Sequence, residues 1–280
     1  MEVNPVLEPL MESLQYSFFQ RAFIIGILIA ISSAVLGNFL VLRKYSLVGD
    51  GLAHVSFASV AIALVLGQSP LLFSIPFVSL ASVLILYINE KTNIYGDAAI
   101  GLVSSFALAL GYVVINSSKS INVSINNYLF GSIITTSQLD LILSILLTLI
   151  VVFSVLFYYY PLFSITYDEE FARVTVPSRF ANYLMAILTS LTIILGIRMI
   201  GVMLISSLII FPTVTALQLT KGFKQTIVSA ILISVLAVIS GLSASILFNT
   251  SPGASIVLAN GALFALAYAF RQFKGGHLNG

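Results

Sequence analysis

The sequence predicts an all-α fold, a polytopic transmembrane bundle of about eight or nine spans at roughly 20 residues per crossing. Three observations predict it. Hydrophobic residues make up 59% of the 280 positions and charged residues only 8%, with a mean hydropathy of +1.09. Soluble domains carry about 25% charged residues, so this chain has too few to cover a water-facing surface. Its apolar runs are long and continuous, which favours helices over the alternating segments of about 10 residues found in membrane barrels. Finally, no polar stretch is long enough for a separate folded soluble domain.

Charges and turn residues divide the runs into spans. They fall at 18–42, 47–67, 70–88, 97–116, 139–160, 180–197, 199–219, 226–247 and 254–271. The pair around Arg198 reads as shorter or broken. The whole chain, 1–280, is one transmembrane domain, with an N-terminal segment 1–16, a charged loop 164–178 and a flexible tail 272–280. The first 14 residues carry Glu2, Glu8 and Glu12 and no basic residue. A secretory signal would need a positive start and a small-residue cleavage site, so the chain is expected to be mature as written.

Lys and Arg set the orientation. With loop 164–178 on the cytoplasmic side, Arg43, Lys44, Lys91, Arg173, Arg179, Lys221, Lys224, Arg271 and Lys274 lie inside. Only Arg21, Lys119 and Arg198 lie outside. That bias is the positive-inside pattern, and nine spans then place the N-terminus outside and the C-terminus inside. The segment Asn116 to Gln138 reads as an outer loop with a short re-entrant or interfacial piece.

Several function classes are excluded. With no cysteine there is no disulfide, thiolate metal site or Cys nucleophile. A net charge of +2 does not suggest nucleic acid as a partner. There is no Gly-x-x-x-x-Gly-Lys-Ser/Thr and no His-Glu-x-x-His, so neither a P-loop nor a zincin-type protease is encoded. Pro252-Gly253-Ala254-Ser255 has no His beside it to act as a base. The chain does not read as an enzyme.

Ionisable groups within a membrane are expensive, so each is a functional candidate. Asp50 and His54 lie near the start of the second span, four residues apart and on one helical face. A carboxylate and an imidazole are both ligands for a borderline divalent ion such as zinc, and together make half of a four-coordinate site. The alternatives are an Asp–His hydrogen bond that only fixes packing, or an Asp that caps its helix. Gly49 and Gly51 also permit a broken helix that enters the membrane interior, as in transporters with discontinuous helices. Asp97 and Asp140 read as helix caps, and Arg198 as an interfacial anchor whose long side chain snorkels.

In the seventh span, Pro212 removes a backbone hydrogen bond and bends the helix. Ser206, Ser207 and Thr213 around it suit a pathway-lining face, or simply close helix packing. The loop 164–178, with Asp168, Glu169, Glu170 and Ala172, is a candidate docking surface for a cytosolic subunit, or an ordinary solvated loop.

These motifs occur in an order that resembles the permease subunits of bacterial ABC transporters for zinc and manganese. The landmarks are Val41-Leu42-Arg43, Gly49-Asp50-Gly51-Leu52-Ala53-His54-Val55-Ser56, Asp97-Ala98-Ala99-Ile100-Gly101 and Tyr128-Leu129-Phe130-Gly131-Ser132. Further on come Asp168-Glu169-Glu170-Phe171-Ala172, Val202 to Ser207 continuing to Pro212, and Ser251-Pro252-Gly253-Ala254-Ser255. The resemblance runs from Gly26 to Tyr268, and the Gly-Asp-x-Leu-Ala-His form is closer to zinc members. One departure is Pro212-Thr213-Val214-Thr215-Ala216, where the family reads Pro-Ala-Ala-Thr-Ala.

The resemblance implies a fold like that of the vitamin B12 importer permeases, in a bacterial plasma or inner membrane. It implies a homodimer, a cytosolic ABC ATPase docked through 164–178, and an extracellular metal-binding lipoprotein or periplasmic binding protein that delivers the ion. Asp50 and His54 become the metal-contacting residues. The cargo is Zn2+, or alternatively Mn2+ or iron, with no permanently bound cofactor. A gradient-driven secondary transporter or channel is the more remote reading.

Overall fold

The structure, a computed structural model, describes residues 15–91, 96–117, 131, 136–202 and 204–276. Among the described residues there is no strand. The helices in chain order are α1 (Ser17–Leu42), α2 (Val48–Val65), α3 (Pro70–Lys91), α4 (Gly96–Ser117), α5 (Gln138–Phe157) and α6 (Tyr159–Tyr167). They continue with α7 (Glu169–Thr175), α8 (Ser178–Ile200), α9 (Ile205–Leu219), α10 (Phe223–Phe248) and α11 (Pro252–Gly276). Eight of them are long and apolar enough to cross a membrane, and α9 is a shorter apolar helix. These nine match the nine expected spans one for one.

α1 is the central post. It packs against α5, α8, α9 and α10, and from Ser32 to Leu40 every one of its residues is buried. α2 is the second core helix, covered by α3, α4, α8 and α9. Helices α3, α4, α5, α10 and α11 form the periphery and turn large apolar side chains outward, among them Leu80, Phe106, Phe153, Leu232 and Leu258. Lipid satisfies those side chains, and it also removes the hydrophobic drive between helices, so close packing and hydroxyl contacts must hold the bundle. A Cβ on Gly37 of α1 would lie 2.3 Å from the Ile209 carbonyl oxygen of α9, so only glycine permits that crossing. Gly241 of α10 allows a similar approach to the Ile256 backbone of α11. Hydroxyl pairs bridge Ser32 to Thr148 (3.0 Å), Ser59 to Ser74 (2.6 Å) and Ser79 to Ser190 (3.0 Å).

Helix ends follow local chemistry. α1 closes with a Schellman pattern: the Lys44 N–H donates to Val41 O and the Tyr45 N–H to Leu40 O. Lys44 occupies the left-handed position, at φ 62°, where glycine is usual. Asn249 plays the same part at the end of α10, at φ 51°. α5 opens on a capping box. Asp140 N–H donates to Ser137 Oγ (3.2 Å), while Ser137 N–H donates to Asp140 Oδ2 (2.8 Å).

Three expectations change. Asp140 is a cap, and it is also the partner of Arg198, whose Nη1 lies 2.5 Å from its Oδ1. Arg198 is therefore not a free snorkelling anchor, because a buried carboxylate on the neighbouring helix holds it. The 164–178 segment is not a loop but two short helices, α6 and α7, joined at Asp168, whose carboxylate accepts the Phe171 N–H at 2.9 Å and starts α7. The last helix runs on to Gly276, so 272–276 of the expected tail is helical, and 277–280 lie outside the described residues. The expected re-entrant piece between Asn116 and Gln138 also lies outside them for the most part. Within it Gly131, at φ 77°, rests directly on the Met199 and Ile200 backbone at the end of α8.

Candidate metal-translocation site

Asp50 and His54 share one face of the first turns of α2. His54 Nε2 lies 3.6 Å from Asp50 Oδ2, too long for a hydrogen bond that would lock the pair. The two side chains differ in environment: Asp50 is 48% exposed and His54 only 19%. His54 Nδ1 is buried and has no hydrogen-bond partner. Among the described residues no third His, Asp, Glu or Cys joins them in a metal-sized group. One chain therefore presents two candidate ligands on an open face.

The glycines explain how this turn enters the bundle. A Cβ on Gly49 would lie 3.5 Å from Ser206 Cα and 3.0 Å from Ile209 Cδ1, and one on Gly51 would collide with Ile100 Cγ2 at 2.6 Å. Small residues let α2 press against both α9 and α4. Ser206 lies in the first turn of α9. The end of α8 shortly before it is recessed along α1. Met199 lies against Gly26, nine residues into α1, or about 13 Å along its axis at 1.5 Å per residue. The Gly49–Ser206 contact thus seats the Asp50 turn beside the first turn of α9. Asp50 itself lies in the first turn of α2, at the start of its span, where the sequence places it.

The other sequence-derived candidates separate. Ser206 Oγ is buried without a hydrogen-bond partner beside Gly49, which leaves it free to meet cargo or water. Thr213 Oγ1 is also buried and unpartnered, next to Gly37 and two turns further along α9. Ser207 differs, because its Oγ donates to Leu204 O at 2.6 Å and is spent on its own backbone. Pro212 is buried within α9. Asp97 sits within the first turn of α4, where a carboxylate faces the positive end of the helix dipole.

On the 164–178 segment, Ala172 is fully buried and anchors α7 to the body. The Glu169 carboxylate is shared between Arg173 (3.1 Å) and Arg43 (3.5 Å). The outward face of α7 shows Phe171, 55% exposed, and Val174, 84% exposed. The sequence reading passed over both. Their spacing of three residues on a short charged helix was the available signal.

Among the described residues, eight helices long and apolar enough to span and a ninth, shorter apolar helix define a multi-pass membrane protein. The chain belongs to the ABC 3 transport family, whose family model matches residues 15–271. It is 31% identical over 263 residues to the manganese transport system membrane protein MntC of Halalkalibacterium halodurans, covering 94% of this chain and 90% of that one. It is 29% identical over 252 residues to the high-affinity zinc uptake system membrane protein ZnuB of Haemophilus influenzae, covering 90% and 97%. Among solved structures it is similar to PsaBC from Streptococcus pneumoniae in complex with Fab, with a TM-score of 0.81 and 30% identity over 92% of this chain and 94% of that one.

Proposed function

We propose that this chain is the permease of an ATP-driven importer of a divalent transition metal, with zinc as the preferred cargo. The observation that carries the reading is the Asp50–His54 pair, held beside the first turn of α9 with half of the Asp50 side chain still open. Two copies related by a two-fold axis would bring two such pairs together, giving four ligands. That count suits zinc's tetrahedral preference. Ligand type points the same way, since imidazole suits zinc while manganese favours oxygen ligands. Only neutral imidazole ligates, so acid should weaken cargo binding.

On this reading a binding protein outside delivers the ion to the turn at 201–204. The ion passes Ser206 and meets Asp50 and His54. A cytosolic ATPase docks on α7 through Phe171 and Val174, and its cycle drives the change from outward to inward access. The second reading, manganese as cargo, is favoured by relatives named for manganese at an identity similar to that of the zinc-named ones.

Labelled zinc and labelled manganese, offered to vesicles holding this chain with its ATPase, test both. The expected result is ATP-dependent zinc uptake that His54→Ala abolishes while membrane insertion and ATPase assembly persist. Flux without the ATPase would remove the importer reading, and manganese uptake alone would replace the cargo.

A further inference from the structure

Between α1 and α2 the chain turns through an elbow at 43–47, and Asp50 follows three residues later. Several contacts hold the elbow. The Schellman bonds fix its start, and the Val48 N–H donates to Tyr45 O at 3.1 Å. The Tyr45 ring lies against Gly96, where a Cβ would meet it at 2.8 Å, and its hydroxyl is the partner of the Asn89 amide. The Arg43 guanidinium lies over the Tyr45 ring, 5.3 Å from its centroid.

Arg43 is the unusual member. Its side chain is 7% exposed, and its Nη2 has no hydrogen bond; instead it stands 3.5 Å from Glu169 Oε2 on α7. A buried cation held at that distance by one shared carboxylate and the Tyr45 ring is weak evidence of a stabilising role, since apolar replacements of buried ions are often neutral or better. Glu169 does not depend on it, because Arg173 satisfies the same carboxylate at 3.1 Å. What the contact does is join the outermost cytoplasmic helix to the elbow that sets the position of Asp50.

We propose that Arg43 is a positioning residue that carries displacement of α7 to the metal-binding turn of α2. This rests on the importer reading above. When α7 moves, the Glu169 carboxylate pulls or releases the guanidinium. The elbow pivots about the Tyr45–Gly96 contact, and Gly49 slides on Ser206. The Asp50–His54 pair then turns relative to the first turn of α9. No other ion pair between described residues links α7 to α1 or the elbow.

The test uses the assembled transporter, permease with ATPase, and the variant Arg43→Met, which removes the cation and leaves Glu169 paired with Arg173. Uptake, ATP hydrolysis, ATPase co-purification and thermal stability are read together. The expected result is unchanged co-purification, hydrolysis and stability, with metal imported per ATP reduced about tenfold, a middling value for coupling between linked sites. Arg43→Lys, which retains a cation, should recover a large part of that ratio. A parental ratio in Arg43→Met would overturn the proposal. So would a loss of stability together with uptake and hydrolysis, which is the signature of a purely structural role. Failure of Arg43→Lys to recover the ratio would overturn it too. Absence of ATP-driven uptake in the parent transporter would instead remove the importer reading, and this proposal with it.

Discussion

Asp140→Ala removes two things at once, and the structure allows each to be sized. The first is the capping box of α5, where Ser137 N–H and O–H both donate to Asp140 Oδ2, at 2.8 and 2.7 Å. The Asp140 N–H to Ser137 Oγ bond survives the substitution, and losing the return bonds to the carboxylate costs about 1 kcal/mol. The second is the partner of Arg198. The Asp140 side chain is 6% exposed and that of Arg198 32%. Breaking a buried pair costs about 3–5 kcal/mol when the survivor is stranded, but Arg198 keeps access to solvent or headgroups, so about 2 kcal/mol is the appropriate share. The sum is about 3 kcal/mol, a change of more than a hundredfold in the folding equilibrium at about 1.4 kcal/mol per decade. Asp140→Ala/Arg198→Met strands no charge and should lose only the return bonds, about 1 kcal/mol. Denaturant titration of the purified protein in mixed micelles measures both variants, and the difference between them, about 2 kcal/mol, is the cost of stranding Arg198. A loss below about 0.5 kcal/mol in Asp140→Ala, the scale of ordinary surface substitutions, would refute the assignment of Asp140–Arg198 as a structural clamp between α5 and α8. A double variant no better than the single one would refute it equally.

Three further outcomes follow from particular contacts. Gly37→Ala places a methyl 2.3 Å from the Ile209 carbonyl oxygen. Backbone cannot yield as a side chain can, so thermal unfolding should report a loss of at least about 1–3 kcal/mol, accompanied by loss of uptake as α9 shifts. Lys44 holds a left-handed φ of 62°. In the same unfolding assay Lys44→Gly should be at least as stable as the parent, whereas Lys44→Val should fall by about 1–2 kcal/mol. Phe171→Asp with Val174→Asp places charge on the exposed face of α7 without touching buried Ala172. Pull-down should show the ATPase lost while the permease stays inserted and monodisperse.

Much of the fold was legible because lipid imposes a simple rule. A crossing segment must be apolar and satisfy its own backbone, so span positions and their ends could be read from runs and charges. The Ser137–Asp140 box and the Gly-punctuated start of α2 were legible for the same reason, being local in sequence. Arg198 was misjudged because its partner, Asp140, lies 58 residues away, and nothing local signals such a pairing. Segment 164–178 reads as a loop because its charges dominate; the buried faces of Leu162, Ile165 and Ala172 that make it helical emerge only against the body. The contact between Gly49 and Ser206 was likewise hidden, since the two residues lie far apart in sequence. On the candidate site, sequence supplied the Asp50–His54 pair and Ser206 as candidates. It could not separate Ser206 from Ser207, because that distinction rests on whether a hydroxyl finds its own backbone.

The arrangement of α2 bears on how an importer can bind an ion and still let it go. A complete set of ligands in one chain would form a closed structural site of the kind that contributes to folding and releases slowly. Here one chain offers an Asp and a His that do not lock each other, at 3.6 Å, and the Asp is only half covered. On the proposed reading, completing the shell with a second copy would make affinity a function of how two α2 helices face one another. Two contacts on the same short stretch would then set that orientation: Gly49–Ser206 toward α9, and Arg43–Glu169 toward α7. A ligand set divided across two mobile turns loses its geometry when either turn rotates. Small movements at the cytoplasmic helix then suffice to change binding, with no need for the bundle core around α1 to repack.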